Sequence, residues 1–180
     1  MLRRLVADGE LRAVGGTAFA VTPTLRESYA SGNTEELEYA AMADAARASL
    51  RLLASVEDAI GGRDVGVGFG GDVGGDVGRG VGGDAEPARR VVVCADVDGV
   101  RLRPDLDDGA VTLPGPVSGS AIAAVYVDLP DAAAAVRAAA AVVDAADLGD
   151  PDAEFTLGEA DDHELAWYAL QEVPFLLDLL

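Results

Sequence analysis

Residues 64–84, DVGVGFGGDVGGDVGRGVGGD, contain glycines at the G-x-G-x-x-G spacing of nucleotide-binding loops, at Gly66, Gly68 and Gly71. Such glycines let a backbone approach a pyrophosphate when they lie between a strand and a helix. Here a predicted helix precedes the glycines, a predicted strand follows them, and the chain has no lysine for a P-loop. We interpret residues 61–88 as a flexible Gly/Asp-rich insert, because no packing of apolar side chains would offset the conformational entropy lost on ordering it.

A calcium-binding glycine repeat is the second interpretation of this segment. Such repeats have a nine-residue period, G-G-x-G-x-D-x-U-x, and stack into a core of their own. In this chain GGDV occurs twice in succession, at residues 70–73 and 74–77, and then stops. Two copies cannot build a stacked core, so the insert remains the preferred interpretation.

His163 is the single histidine, and Asp161, Asp162 and Glu164 surround it. These residue types could form a metal site or an acid–base pair, but the stretch HELAW lacks the second histidine of the zinc motif H-E-x-x-H. A catalytic triad would have to use His163, and the sequence contains no G-x-S-x-G nucleophile motif. The plainer interpretation is a surface histidine near a helix cap.

Cys94 is the only cysteine, which excludes an intramolecular disulfide and a cysteine metal cage. In VVVCADV it fits a buried strand better than a reactive site, since no neighbouring His or Arg lowers its pKa. The acidic loop DLDDG lacks the twelve-residue calcium pattern. The sequence therefore predicts no cofactor and no metal, and it argues against an enzyme without excluding one.

The net charge is -19, from 32 acidic residues and 13 basic residues that are all arginine. Without a basic patch, such a chain is predicted to bind neither nucleic acid nor a membrane. No apolar run approaches the roughly 20 residues of a membrane span, and no secretion signal opens the chain. We predict a cytoplasmic protein. The composition indicates a GC-rich genome, and adaptation to high salt is the alternative explanation of the acidity.

The first half of the chain is predicted to be mostly helical. Residues 2–12 have helical spacing with Gly9 as a stop, and Ala18–Thr22 reads as a strand. Thr22 caps a short helix that starts at Pro23. Asn33 and Glu36 form a capping box for a helix over residues 35–53, with Tyr39, Met42, Ala46, Leu50 and Leu53 on its apolar face.

The second half alternates strands with helices. Strands are predicted in residues 89–97, in AVTLPGPV, in 121–129 and in EFTLG at 154–158. A helix runs from Pro130 to Gly149. A last helix, DHELAWYALQEV, is predicted to bend or end at Pro174, and the apolar tail FLLDLL must then dock on the body or on a partner.

These elements predict one α+β domain over residues 1–180. It should hold a small mixed or antiparallel sheet of about 3–5 strands with about 4–5 helices. The strands follow one another through short loops, which favours this class over a doubly wound α/β fold.

One polar and aromatic group is the best candidate for recognition. Arg26 and Tyr29 on the short helix and Trp167 and Tyr168 on the last helix are residue types favoured at binding surfaces. Structural packing is the alternative use of these side chains. The group predicts a non-enzymatic interaction or regulatory domain that forms a homodimer or binds a protein partner.

A small-molecule-binding protein or enzyme is the alternative function. It would use a pocket near the last helix, with His163, Glu164 or Tyr168 as polar anchors.

Four stretches together resemble a family of small uncharacterised proteins from GC-rich actinobacteria, a domain of unknown function. The stretches are TAFAVTPTLRESYASGNTEELEYAAMADAARASLRLL, RRVVVCADV, AAVYVDL and DAEFTLGEADDHELAWYALQE. The resemblance implies a cytoplasmic single domain and brings no activity, substrate or cofactor. It also implies a strand of the form RVYLPAT ahead of the first helix. This chain lacks that strand and so looks truncated at its N-terminus, and the sheet is expected to expose an edge.

Overall fold

Helices and short antiparallel sheets form an α+β fold in the computed structural model, which describes residues 1–29, 31–61 and 88–179. The described α-helices are α1 (Leu2–Asp8), α2 (Pro23–Ser28), α3 (Thr34–Gly61), α4 (Ala133–Asp147), α5 (Pro151–Asp161) and α6 (Val173–Leu179). The described strands are β1 (Glu10–Leu11), β2 (Thr17–Phe19), β3 (Val91–Ala95), β4 (Arg101–Leu102), β5 (Ala110–Thr112), β6 (Val117–Ser118), β7 (Ile122–Asp128) and β8 (Leu165–Tyr168).

The described strands form three sheets with the orders β1-β6, β2-β5-β4 and β3-β7-β8. Every pairing is antiparallel. The predicted fold class is therefore confirmed, although the strands are divided among small sheets of two or three strands. None of the helices in the described ranges is long and apolar enough to cross a bilayer.

Local capping signals set the helix boundaries in the first half as predicted. Gly9 has the left-handed φ of 68° and ends α1. The hydroxyl of Thr22 accepts a hydrogen bond from the Leu25 amide (3.0 Å) at the start of α2. Asn33 and Glu36 exchange side-chain to backbone hydrogen bonds of 2.9 and 3.0 Å, the predicted capping box of α3.

The first part of the core lies where α4 packs on α5 and α3. Its buried side chains are mostly alanine and valine, and small side chains let helices approach closely. Leu50 of α3 and Leu157 of α5 are the largest members, and both are almost fully buried. The alanine content of α4 therefore serves close helix packing.

The second part of the core lies on one face of the β3-β7-β8 sheet. It joins buried residues of α1, β7 and α6, namely Leu2, Leu5, Val125, Val127, Val173 and Leu176. Of the two predicted positions of the apolar C-terminal stretch, on the body or on a partner, the structure shows the first for Leu176, which is buried. Phe175 beside it remains exposed.

The extended segment predicted for EFTLG is wrong, because these residues lie inside α5. Asp150 caps this helix by accepting hydrogen bonds from the Asp152 and Ala153 amides, and Pro151 occupies its first turn. The buried residues Ala153, Leu157 and Ala160 recur at helical spacing. Phe155 and Thr156 gave the stretch its strand propensity, but Phe155 is 72% exposed and does not direct the packing.

The predicted last helix over DHELAWYALQEV is also wrong, because its centre is strand β8. Tyr126 of β7 lies opposite Trp167, so the central strand β7 gains a second partner. The apolar residues also fitted a helical stripe, but pairing with β7 overrides that local pattern. The helix that follows, α6, starts at Val173, so Pro174 lies in its first turn, where proline is tolerated.

Two burial predictions need correction as well. Tyr39 was assigned to the apolar face of α3 but is 67% exposed, while Leu37 and Ala41 are buried instead. The stretch VVVCADV was predicted to form a buried strand, yet only Val92 within β3 is fully buried. Of the predicted insert at residues 61–88, residues 62–87 lie outside the described residues, while Gly61 is the last residue of α3 and Ala88 is buried in the core.

Candidate functional site

Four of the six residues singled out in the sequence lie on or beside strand β8. His163 and Glu164 are in the turn between α5 and β8, and Trp167 and Tyr168 are in the strand itself. Glu164 is exposed and His163 is half-buried. Because neighbouring residues of a strand point to opposite faces, Tyr168 packs against the sheet core while Trp167 is 57% exposed.

Arg26 and Tyr29 are placed at a different element. Arg26 is in the last turn of α2, and Tyr29 follows that helix with 45% of its surface exposed. The Thr22 hydroxyl donates to the carbonyl of Asp108 and so ties α2 to the loop between β4 and β5. Arg26 and Tyr29 therefore lie at α2, and Trp167 and Tyr168 lie in strand β8. The sequence predicted that both pairs lie on helices.

A buried ion pair that sequence reasoning missed lies directly behind the turn before β8. Arg90 and Asp128 are 2% and 1% exposed. The Arg90 guanidinium donates to the Asp128 carboxylate through Nε (3.1 Å) and Nη2 (2.9 Å). The backbone amide of Arg90 donates to the same carboxylate at 2.6 Å. Each charge is thus paired and hydrogen-bonded, which burial requires.

The remaining donors of Arg90 reach the end of α5 and the turn before β8. Nη1 donates to the Asp161 carboxylate at 2.9 Å, and Nη2 donates to the carbonyl of His163 at 2.8 Å. One side chain therefore links β3, β7, α5 and the start of β8. The role of His163 in this structure is carried by its backbone carbonyl, which helps to fix where β8 begins.

The sequence did contain a signal for this pair. Arg90 directly precedes the apolar run of β3, and Asp128 directly follows the apolar run of β7. Antiparallel pairing brings the start of one strand to the end of the other. Opposite charges at those two positions could therefore have been matched once the pairing of β3 with β7 was assumed.

The backbone hydrogen bonds of the sheet determine which groups each strand directs to its neighbours. Asp128 on β7 donates its amide to the carbonyl of Arg90 (3.2 Å). On β3, the amide of Val91, the residue after Arg90, points away from β7 and donates to the Ser49 hydroxyl (3.1 Å). Main-chain groups of an antiparallel strand alternate between its two sides. The main-chain amide and carbonyl of Asp128 therefore point toward β3, and those of Val127 point toward β8.

The same alternation identifies the free groups of β8. Val127 lies opposite Ala166, so the main-chain groups of Ala166 point toward β7. Those of Leu165 and Trp167 point the other way. Strand β8 is the last in the sheet order β3-β7-β8, so these groups form an edge without a neighbouring strand in the described residues.

The surroundings of this edge are acidic. Asp161, Asp162 and Glu164 precede β8 and Glu172 follows it, and all four are exposed. Glu172 also accepts the Ala169 amide at 2.8 Å. Residues 138–180 contain eleven Asp and Glu and neither Arg nor Lys. The edge therefore combines backbone groups that no described residue pairs with, an exposed tryptophan ring and negative charge.

Two concave regions offer an alternative place for a ligand. Each has a volume of about 240 Å³. The first is lined by Leu5, Val6, Gly9, Gly119, Leu170 and Pro174, and the second by Arg12, Ala13, Gly16, Leu113, Gly115 and Pro116. Neither lining includes the anchors His163, Glu164 and Tyr168 that the pocket hypothesis named.

Metal and thiol chemistry find little support in the described part of the chain. Among those residues, no group of three His, Cys, Asp or Glu side chains could hold a metal ion. Burial, with a smaller contribution from Glu38, raises the pKa of the Cys94 thiol. This disfavours the reactive thiolate. The glycine motif at Gly66, Gly68 and Gly71 lies outside the described residues.

Comparison with known proteins yields one match. A family model described as "Family of unknown function (DUF6912)" covers residues 1–177. No curated protein and no solved structure matches the chain. The resemblance to an uncharacterised family is thereby confirmed, while its actinobacterial origin stays a prediction.

Proposed function

The chain belongs to this family of unknown function, and we propose that it is a cytoplasmic, non-enzymatic interaction domain that binds a protein partner along β8. The observation that carries the proposal is the edge of the β3-β7-β8 sheet at β8, which no other strand of residues 1–29, 31–61 and 88–179 covers, beside the exposed Trp167. Unpaired strand edges are templates for another strand, and natural proteins commonly cover them or blunt them. An edge that also presents a tryptophan is suited to binding by strand addition.

The buried Arg90–Asp128 pair supports this function because it makes the edge rigid. Arg90 is hydrogen-bonded to the carbonyl of His163, two residues before β8. A recognition strand that is fixed before binding loses less conformational entropy when the partner arrives. The pair is thus a positioning device, and Trp167 and the outward backbone groups are the contact surface.

Site-specific photo-crosslinking in the cells that contain the gene tests the proposal. A benzophenone amino acid replaces Trp167 in one full-length variant and Phe155 in the control, since Phe155 is similarly exposed but lies on α5. We expect a discrete crosslinked protein from position 167 only. A third variant carries the crosslinker at Glu164 together with Trp167→Pro, which removes an outward amide.

The crosslink from Glu164 should form in the otherwise unchanged chain and be lost with Trp167→Pro. Identical crosslinks from positions 167 and 155, or none from 167, would overturn the proposed function. Persistence of the Glu164 crosslink after Trp167→Pro would show that the partner does not pair with the strand edge.

A further inference from the structure

We infer that the occupant of the β8 edge is an extended segment of another protein that carries arginine or lysine side chains. This inference rests on the proposed function and adds the chemistry of the partner. It follows from three properties of the edge: its outward backbone groups, its exposed aromatic ring and its charge.

The backbone groups determine the conformation of the occupant. Leu165 and Trp167 direct their amides and carbonyls away from β7, and such groups are satisfied by a strand laid alongside. A helix satisfies its own backbone groups and would leave these unpaired. The occupant must therefore be extended over at least the length of β8.

The charge determines which side chains the occupant carries. Asp162 and Glu164 are exposed directly before β8, and Glu172 is exposed after it. A cationic side chain next to these carboxylates gains favourable electrostatic energy, and an anionic one is repelled. Trp167 adds to this preference, because an arginine guanidinium stacks favourably on an indole ring.

A second copy of this chain is disfavoured as the occupant by the same charges. Two β8 edges paired with each other would bring the acidic residues of both copies together. Each copy carries a net charge of -19, so the general field is repulsive as well. An identical partner offers no arginine in the region of residues 138–180 that could relieve this repulsion.

Binding of short peptides to the full-length protein tests the inference. The first probe is a capped peptide of about ten residues that alternates Val with Arg, a length typical of strands. Matched peptides replace every Arg by Glu or by Ser. A further control keeps the Arg residues but places two prolines in the centre, which prevents strand pairing. Amide hydrogen exchange at Leu165 and Trp167 is followed by NMR.

We expect the Val/Arg peptide to slow exchange of both amides by about tenfold or more, and to bind at least about tenfold more tightly than the Val/Glu peptide. Its affinity should fall as salt rises toward about 0.5 M, because salt screens exposed charges. The proline-containing peptide should not protect these amides.

The outcomes separate this inference from the proposed function. If the Arg, Ser and Glu peptides protect the two amides equally, strand addition stands and the basic partner is wrong. If no peptide protects them, and the in-cell crosslink from position 167 is also missing, both fail. If the proline peptide binds as well as its parent, the attraction is purely electrostatic and the inference is overturned.

The finding of either of two other occupants at the β8 edge would also overturn the inference of a basic partner segment. Protection of Leu165 and Trp167 that grows with protein concentration, with a dimer in sedimentation, would assign the edge to a second copy. A peptide of the sequence RVYLPAT, the upstream strand that the family resemblance implies, is the second competitor. If it protects the same amides and displaces the Val/Arg peptide, the edge belongs to that strand.

Discussion

The two edges of the β3-β7-β8 sheet are built in opposite ways. At the β3 edge, helix α3 covers the strand, and the hydroxyl of Ser49 accepts the outward amide of Val91. At the β8 edge, the outward groups of Leu165 and Trp167 have no neighbouring strand in the described residues, and the tryptophan ring is exposed. One fold thus shows both a covered edge and an open one.

This difference supports the proposed binding of a partner at the open edge. Both edges belong to the same three-stranded sheet, so the same cost of unpaired backbone groups applies to each. The buried pair of Arg90 and Asp128 lies between them and binds both strands together. Three sets of substitutions test how the two edges are stabilised, and a fourth tests a carboxyl group of α3.

The largest effect is expected from Asp128→Ala. The substitution leaves Arg90 buried without its carboxylate partner, and breaking a buried pair in this way costs about 3–5 kcal/mol. The free energy of unfolding, measured with urea, should fall by that amount, and the amides of both β3 and β8 should exchange faster.

Asp105→Ala is the matched control, because Asp105 also pairs with an arginine, Arg103, but on the surface. It should leave stability unchanged within error, since exposed pairs contribute little. If Asp128→Ala yields no folded protein, the milder Asp128→Asn takes its place. A loss below about 1 kcal/mol for both Asp128 variants would show that the pair does not hold the two edges together.

The second-largest effect on stability is expected from proline substitutions at two adjacent positions of β8. Ala166→Pro removes an amide that points toward β7 and should cost about 2–3 kcal/mol, because a buried carbonyl loses its donor. Trp167→Pro removes an outward amide and should cost less than about 1 kcal/mol. Thermal or urea unfolding checks the order. The reverse order would mean that the inferred open edge of β8 is in fact its paired edge.

The third effect tests the covered edge through Ser49→Ala. The Val91 amide then loses its acceptor, and stability should fall by about 1 kcal/mol relative to a control serine on the same helix. Ser55→Ala is that control, because its hydroxyl donates to the carbonyl of Leu52 within α3 and it is exposed. Equal unfolding free energies for the two variants would show that α3 covers β3 without the help of this hydrogen bond.

The smallest effect concerns Asp44, which α3 directs toward the loop between β4 and β5. Burial, followed by repulsion from Asp107, raises the pKa of the Asp44 carboxyl above its ordinary 3.8. Its ionised form therefore destabilises the fold above the raised pKa, and this cost disappears below the ordinary value. Asp44→Asn should be slightly more stable than the parent at neutral pH.

The pH dependence distinguishes this cause from a general change of charge. The advantage of Asp44→Asn should vanish as the pH falls below 3.8. Asp178→Asn, a change on an exposed residue of α6, serves as the control at each pH. An advantage of Asp44→Asn that is constant with pH would contradict the assigned cause.

Local signals predicted the helices of the first half well, because their caps are encoded within four residues. Thr22 and Asn33 form their capping hydrogen bonds with residues three positions ahead, so no knowledge of the fold is needed. The same holds for Gly9, whose left-handed conformation ends α1. Strands β3 and β7 were found because their apolar runs are continuous.

The candidate site was harder to predict because it depends on pairing between distant segments. Trp167 and Tyr168 were selected by residue type, but their spacing fitted a helix as well as a strand. Only the position opposite Tyr126 decides between the two. Arg90 and Asp128 were missed for the same reason: they are 38 residues apart in the chain and meet through sheet register.

The contact between α1 and α6 has a consequence for the order in which the domain is assembled. Leu2 and Leu5 are buried against Val173 and Leu176, so the residues of α1 find these native partners only after α6 has been synthesised. Helices α4 and α5 lie next to each other in sequence and can pack much sooner. We expect ribosome-bound chains to hold a formed helical layer and an unfinished sheet core, a state in which chaperones would recognise α1.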